Sequence, residues 1–230
     1  MSDGIYIGMA GATAREAQLD SIADDLANAQ TPGFKAERPV FASVLAQADA
    51  TRAFPVALAA GTDLRPGPSQ PTGNPLDVVP DGARFLAVQS DAGIAYTRDG
   101  RLSVDNDGLL RAAGFPVLTA SGEPIEVPPG AAPQIAADGT VTANGTTLGK
   151  LGLFELQGQV DRLGPSLFQA PDAIAQDGRV QTGAVEMSNH KALDAAVDLV
   201  SAQRHFEASM QAIDTYRKLT DRANQLGQVR

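Results

Sequence analysis

The sequence predicts an α+β fold in which long N- and C-terminal helices form a coiled-coil-like helical domain and flank a mainly antiparallel β domain. Gly and Pro account for 23 and 15 of the 230 residues, and they are concentrated in the middle of the chain. Both ends carry apolar residues three or four positions apart, which is the spacing of one face of a helix. The middle alternates short apolar runs with turn dipeptides, as antiparallel strands do.

The longest predicted helix lies within residues 186–228, which contain no Pro and a single Gly, and Ser188 or Asn189 can cap its start. Ala, Leu, Gln, Glu and Arg dominate this segment, and these residues lose little freedom in a helix. Leu199, Phe206 and Ile213 fall on a seven-residue grid, the spacing of a coiled-coil seam. A one-sided apolar stripe at a chain end requires a partner. That partner is either the rest of the same domain or a second terminal helix.

A second helix is predicted for residues 5–29, and it ends where Pro32 and Gly33 disfavour helical backbone. Its apolar residues also form a stripe. Burial of both stripes against each other and against copies of the chain is the simplest solution, and repeated contacts that do not close generate a helical tube. The candidate assembly-interface residues on the two stripes are Ile5, Leu19, Ile22, Leu26, Leu199, Phe206, Met210 and Ile213.

The middle of the chain has two predicted parts. Residues 36–75 are expected to form an extended connector with a short helix near Val40 to Ala48, because the Gly- and Pro-rich remainder has no sustained period. Residues 76–185 are expected to form the β-rich domain, with hairpin turns at Asp99-Gly100 and Asp107-Gly108. The predicted boundaries are 1–35 for the N-terminal helical segment, 36–75, 76–185, and 186–230 for the C-terminal helical segment.

Two motifs at opposite ends of the chain resemble one family. The first helix ends in LANAQTPGFK, residues 26–35, which resembles the LANxxTxGFK signature of bacterial flagellar rod and hook proteins. Near the C-terminus, EMSN and QRHFE resemble the EGSNVN and QRxFE patterns of the same proteins, with departures at Met187 and at His190-Lys191. The matching residues are Leu26, Ala27, Asn28, Thr31, Gly33, Phe34, Lys35, Ser188, Asn189, Gln203, Arg204, Phe206 and Glu207.

The resemblance extends loosely to residues 85–118 and implies a structural subunit of the flagellar basal-body rod, the axial drive shaft that transmits torque for motility. It implies that the terminal helices form an inner tube and the β domain an outer layer. The implied partners are copies of the chain, other rod proteins and the flagellar type III export apparatus, which would export the chain to the periplasm-spanning rod without cleavage of a signal peptide. The short length and the SNHK sequence favour the proximal over the distal part of the rod.

The composition argues against several other functions. The net charge is −9 and no basic run is present, so nucleic acid is a poor partner. No apolar run is long enough to insert in a membrane, and the absence of Cys excludes thiolate chemistry. No nucleotide, zinc or hydrolase signature is present, so we predict neither an enzyme nor a cofactor. The alternative of another class is a secreted binding module or adhesin whose β domain holds a ligand.

Two places in the sequence are candidates for metal binding. Asp105 and Asp107 resemble part of a calcium loop, but Ser103 and Gly114 stand where such a loop needs acidic ligands, so a hairpin turn is favoured. The two histidines, His190 and His205, have no carboxylate at metal-ligand spacing. We therefore predict no metal site.

Overall fold

The structure, a computed structural model, describes residues 3–46 and 49–227. The chain divides into two compact units. The helical unit contains residues 1–27, 37–61 and 192–230, and the β unit contains residues 28–36 and 62–191. The α+β class is therefore confirmed.

The helices are α1 (Asp3–Ala27) and α2 (Ala192–Gly227). The strands are β1 (Glu37–Ala46), β2 (Asp49–Thr62), β3 (Ser69–Pro71), β4 (Val78–Pro80), β5 (Arg84–Ser90), β6 (Gly93–Thr97), β7 (Ser103–Val104), β8 (Leu110–Ala112), β9 (Phe115–Pro116), β10 (Pro133–Ile135), β11 (Thr140–Ala143), β12 (Thr146–Lys150), β13 (Leu153–Gln157), β14 (Asp161–Gly164), β15 (Leu167–Gln169), β16 (Asp172–Ala175), β17 (Val180–Thr182) and β18 (Ala184–Glu186).

In the helical unit, α1 packs against α2 and also contacts β1. The predicted short helix near Val40 to Ala48 is wrong, because β1 and β2 form a two-stranded sheet here, and residues 47–48 lie outside the described residues. Val40, Phe41 and Val44 favour strands over helices. Neither α1 nor α2, in the part of the chain that the structure describes, has the length and hydrophobicity that a membrane span requires.

The helix that is predicted to start at a Ser188 or Asn189 cap begins slightly later, at Ala192. Glu186 belongs instead to β18, where it pairs with Ser69 of β3. The helix-favouring residues Glu186, Met187 and Lys191 do not decide the conformation there, because the side chain of Glu186 has buried partners described below.

The β unit is built on a six-stranded sheet in the order β14-β15-β6-β5-β13-β16, whose neighbouring strands are antiparallel. Alternate residues of a strand point to opposite faces. Accordingly, Leu86 and Val88 of β5 enter one hydrophobic cluster, whereas Phe85 and Ala87 enter another. Burial on both faces explains why the β5 sequence is continuously apolar at these four positions.

The two turn predictions have different outcomes. Asp107-Gly108 connects the antiparallel strands β7 and β8, and Gly108 has φ +82°, so this hairpin is confirmed. Asp99-Gly100 joins β6 to β7, which belong to different sheets, so the predicted hairpin is wrong there. Asp99 is buried, and Gly100 lies so close to the carbonyl of Val78 that a Cβ atom would collide with it. Close packing therefore explains this glycine.

Candidate functional site

The N-terminal motif changes direction sharply after α1. The amide of Thr31 donates to the carbonyl of Asn28 at 2.9 Å, and its hydroxyl contacts Asn28 Oδ1 at 3.2 Å. Gly33 then has φ +72°, a conformation that suits glycine. An added Cβ at Gly33 would collide with the backbone of Arg98 and Asp99. This turn delivers the next two motif residues, Phe34 and Lys35, to the interior of the β unit, where both are fully buried.

Glu186 is the centre of the buried site. One carboxylate oxygen, Oε1, accepts hydrogen bonds from Lys35 Nζ and from the amide of Gly67, the latter at 3.0 Å. The other oxygen, Oε2, accepts from Arg98 through Nε at 2.8 Å and also through Nη2. The three charged side chains are at most 1% exposed. We call Lys35, Arg98 and Glu186 the buried triad.

Backbone carbonyls satisfy the remaining donors of the two cations. Lys35 Nζ donates to the carbonyl of Arg65 at 2.8 Å. Arg98 donates to the carbonyls of Gly82 at 2.7 Å and Pro80 at 3.1 Å, in addition to that of Arg84. Burial lowers the pKa of the Lys35 ammonium, and its attraction to Glu186 opposes that change. The buried triad holds two cations against one anion, and these carbonyl dipoles offset the excess positive charge.

Asn189 of the C-terminal motif ties the two motifs together. Its Oδ1 accepts from the amide of Ala36 at 2.9 Å, and its Nδ2 donates to the carbonyl of Asp63 at 2.7 Å. The backbone adds a further bond, because the amide of Gly33 donates to the carbonyl of Glu186 at 2.8 Å. Ser188, also buried, accepts from the amide of His190 at 3.1 Å. The GFK end of the first motif and the EMSN part of the second therefore meet inside the β unit.

The buried triad has the properties of a clamp, because four donors saturate the Glu186 carboxylate and leave it unsuited to act as a general base. Gly67 allows this close approach, since a Cβ atom would collide with the carbonyl of Met187. Sequence reasoning missed Arg98, Glu186 and Gly67 as site residues. Two signals could have identified them. Glu186 is the first residue of EMSN, and Arg98 belongs to the YTR sequence within residues 85–118, which resemble the family.

The predicted helix stripes lie in the helical unit, on α1 and α2. Ile213 is buried, and Met210 is 41% exposed. Ile5 belongs to α1, but its side chain lies outside the described residues. The other stripe residues are half-buried, namely Leu19, Ile22, Leu26, Leu199 and Phe206.

Several motif residues on the helices have less buried environments. Ala27 is exposed at the end of α1. On α2, Gln203, Arg204 and Glu207 are all exposed, and Gln203 Nε2 donates to Glu207 Oε1 at 3.4 Å. These three positions are available to contact another molecule, but their role stays a prediction.

The metal candidates occupy ordinary structural positions. Asp105 accepts from the amides of Asp107 at 3.0 Å and Leu109 at 2.8 Å, and it forms an ion pair with Arg111. The favoured hairpin turn is thus what the structure contains. Among the residues that the structure describes, no group of three or more His, Asp or Glu side chains could hold a metal ion.

Comparison with known proteins identifies similar chains. Residues 181–226 match the family described as "Flagellar basal body rod FlgEFG protein C-terminal", and residues 81–143 match "Flagellar hook protein FlgE/F/G D1 domain". The chain is 35% identical to the flagellar basal-body rod protein FlgF of Salmonella typhimurium and 34% identical to that of Escherichia coli, with 98% of each chain covered. It is 30% identical to FlgG of Bacillus subtilis, over 94% of this chain and 95% of the relative.

Proposed function

The chain belongs to the flagellar basal-body rod FlgE/F/G family, and we propose that it is a structural subunit of the rod. In this proposal, the chain assembles with copies of itself and with other rod proteins through its terminal helices. The assembled rod is an axial drive shaft that transmits torque. Similarity to FlgF at 35% identity over nearly the whole chain supports a FlgF-like, proximal subunit, while the similarity to FlgG keeps the distal position as the alternative.

The observation that carries the proposal is the packing of α1 against α2. The two helices come from opposite ends of the chain and form one helical unit. The seven-residue spacing of Leu199, Phe206 and Ile213 supports a coiled-coil-like pairing of these helices. Repetition of such a unit by contacts that do not close produces a tube, as an axial structure requires.

The buried triad supports a mechanical role for the β unit. Lys35 follows the end of α1 by eight residues, and Glu186 precedes the start of α2 by six. Both are held by charge-assisted hydrogen bonds inside one unit. We propose that this clamp fixes the points at which the two helical segments leave the β unit.

The localisation that we propose is the flagellar basal body, where the chain spans the periplasm as part of the rod. We propose export by the flagellar type III apparatus without cleavage of a signal peptide. The family is one of structural rod proteins, and the saturated carboxylate of the buried triad supports a non-enzymatic role. Nearly full-length similarity to rod proteins does not favour the adhesin alternative.

Deletion of the gene in its own host tests the proposal. We expect cells that lack the chain to be non-motile, and we expect a plasmid copy to restore motility and to be recovered in purified basal bodies. Normal motility without the chain, or its absence from basal bodies of complemented cells, would contradict a rod function. A proximal position further requires that the distal rod protein is missing from basal bodies of the deletion strain.

A further inference from the structure

We propose that Asn144 is a site of spontaneous deamidation, a modification that converts asparagine to aspartate and isoaspartate. Asn144 and Gly145 form the turn between β11 and β12, within the three-stranded sheet β10-β11-β12 of the β unit. Both residues are exposed. The reaction depends only on this turn and on solvent water, so it does not require the rod function.

The residue that follows Asn144 supplies the nucleophile. In the first step, the backbone nitrogen of Gly145 bonds to Cγ of Asn144, the Cγ–Nδ2 bond breaks, and ammonia leaves with the proton of the Gly145 amide. Water then opens the resulting five-membered succinimide at one of its two carbonyls, which gives aspartate or isoaspartate. Glycine favours the attack, because it has no Cβ to hinder its nitrogen or to restrict φ.

Asn144 is the only one of the six asparagines in the chain that is followed by glycine. Hydrogen bonds hold the side chains of Asn28, Asn74 and Asn189. Asn224 lies within α2, where the hydrogen-bonded helix backbone does not let the next amide attack. By contrast, no hydrogen bond to the Asn144 side chain occurs among the residues that the structure describes.

Asn106 shows what distinguishes Asn144 from a merely exposed asparagine. Asn106 is exposed too, but the amide that would attack it, that of Asp107, donates to Asp105 Oδ1 at 3.0 Å. The Gly145 amide has no acceptor within the described part of the chain. A Cβ atom added at Gly145 would meet no atom within 4 Å, so nothing in the β unit packs against this residue. The nucleophile at Asn144 is therefore unengaged and accessible.

The turn has to open before the ring can close. Asn144 and Gly145 have φ values of 50° and 79°, both positive as in a type I′ hairpin turn, and Ala143 pairs with Thr146 across it. Closure of the succinimide requires Asn144 to leave this conformation. Hairpin ends with exposed backbone open locally at low free-energy cost. We therefore expect the folded chain to react more slowly than a free peptide, but still to react.

The two products differ in their effect on the hairpin. Aspartate tolerates positive φ, as asparagine does, so this product keeps the turn and adds one negative charge. Isoaspartate places an additional methylene in the backbone, so the two-residue turn no longer fits and the pairing of Ala143 with Thr146 is lost. Val141, which is fully buried in a hydrophobic cluster, anchors β11 beyond the turn. The damage is therefore confined to the end of the hairpin.

Incubation of the full chain, followed by mass spectrometry of its peptides, tests the site. We expect conversion at Asn144 to be at least about tenfold faster than at Asn106, the matched internal control, which corresponds to about 1.4 kcal/mol in the barrier. A mildly alkaline pH should raise the rate at Asn144, because the attacking nitrogen must lose its proton. Equal rates at the two asparagines would overturn the proposed site. So would an intact Asn144 in the full chain under conditions that convert a free peptide of residues 138–150.

Substitution of the asparagines tests the assigned position. Asn144→Gln should lower the conversion there at least about tenfold, because its longer side chain would have to form a six-membered ring. Asn106→Gln is the matched control and should leave the conversion at Asn144 unchanged. Conversion of the Asn144→Gln chain at the original rate would show that the reaction occurs elsewhere.

Hydrogen exchange tests the consequence for the hairpin. An isoaspartyl methyltransferase identifies the chains that carry isoaspartate, and in these chains the amides of Ala143 and Thr146 should exchange faster. Asn144→Asp adds the charge alone, so these amides should keep their protection in this variant. Equal protection in isoaspartate-containing and unmodified chains would contradict the expected loss of pairing.

Discussion

The helical unit and the β unit differ in how they bury apolar side chains. In the β unit, two hydrophobic clusters cover opposite faces of β5 and contain large residues such as Leu86 and Phe168. In the helical unit, the buried hydrophobic residues among the described side chains are three alanines and one isoleucine, namely Ala14, Ala195, Ala202 and Ile213. Since burial of large apolar residues supplies most folding stability, the two clusters give the β unit a hydrophobic core of its own.

The two units also treat charge differently. The β unit encloses Lys35, Arg98 and Glu186 and satisfies each with several hydrogen bonds. The helical unit buries Asp25 of α1 and leaves Glu16, Asp20 and Arg204 exposed. A buried ion cluster is costly to disrupt, while exposed charges contribute little to the stability of the free chain and much to the choice of partner. The buried triad thus helps the β unit to hold its shape, and the exposed charges of the helical unit are available for contacts with partners.

The largest effect is expected from Glu186→Gln in the buried triad. This change leaves Lys35 and Arg98 buried without their carboxylate, and breaking a buried ion pair costs about 3–5 kcal/mol. Urea unfolding, monitored through hydrogen exchange of the β5 amides, measures the loss in the free energy of unfolding. Glu155→Gln is the matched control. Since Glu155 is exposed on β13, its substitution should shift the urea midpoint of unfolding little. Equal midpoints for both variants would show that the β unit does not depend on the buried triad.

An introduced charge on the side of α2 that carries its buried residues should destabilise only the helical unit. Phe206 is half-buried, and Phe206→Asp is expected to cost about 2–3 kcal/mol, roughly half the loss for a fully buried Phe. We expect this variant to abolish assembly and motility while β5 amides keep their protection. Ala212→Asp, at an exposed position of the same helix, should assemble normally. Normal motility with Phe206→Asp would contradict the interface prediction.

Gly33→Ala measures how tightly the N-terminal motif is packed into the β unit. Gly33 and Gly73 have similar φ values of +72° and +75°, so an Ala side chain at either position costs about 1–2 kcal/mol of backbone strain. Only Gly33 would also collide with neighbouring backbone, which adds about 1–3 kcal/mol. Gly33→Ala should therefore lower the free energy of unfolding more than Gly73→Ala. Equal losses would mean that the backbone around Gly33 moves to accept the Cβ atom without a loss of stability.

The smallest effect concerns an exposed turn of the β unit. Arg111 lowers the pKa of the Asp105 carboxyl below its usual 3.8, with hydrogen bonds from two amides contributing. Because the pKa is depressed in the folded chain, the stabilisation is present above 3.8 and is lost as the pH falls through the lower, folded-state pKa. A carboxyl NMR titration should show that Arg111→Gln raises the Asp105 pKa. The Asp177 pKa, which Lys150 lowers, should not move. An unchanged Asp105 pKa would contradict the assigned cause.

The sequence alone determined the features that depend on local periodicity and turn chemistry. The spacing of apolar residues predicted α1 and most of α2, and Asp107-Gly108 predicted a true hairpin. Two short motifs were sufficient to indicate the family, and nearly full-length relatives confirm it. These signals are local because a helix repeat and a tight turn are each specified within a few neighbouring residues.

The tertiary structure decided which residues meet inside the β unit. Glu186 binds a lysine 151 positions away and an arginine 88 positions away, and no periodicity in the sequence encodes such pairs. The strands β1 and β2 pair where the sequence favoured a short helix. Gly100 packs closely against Val78 where the sequence favoured a hairpin turn. Packing of α1 against α2 decided which sides of the two helices are covered. Burial and ion pairing depend on distances through space, which the chain acquires only when its distant segments have come together.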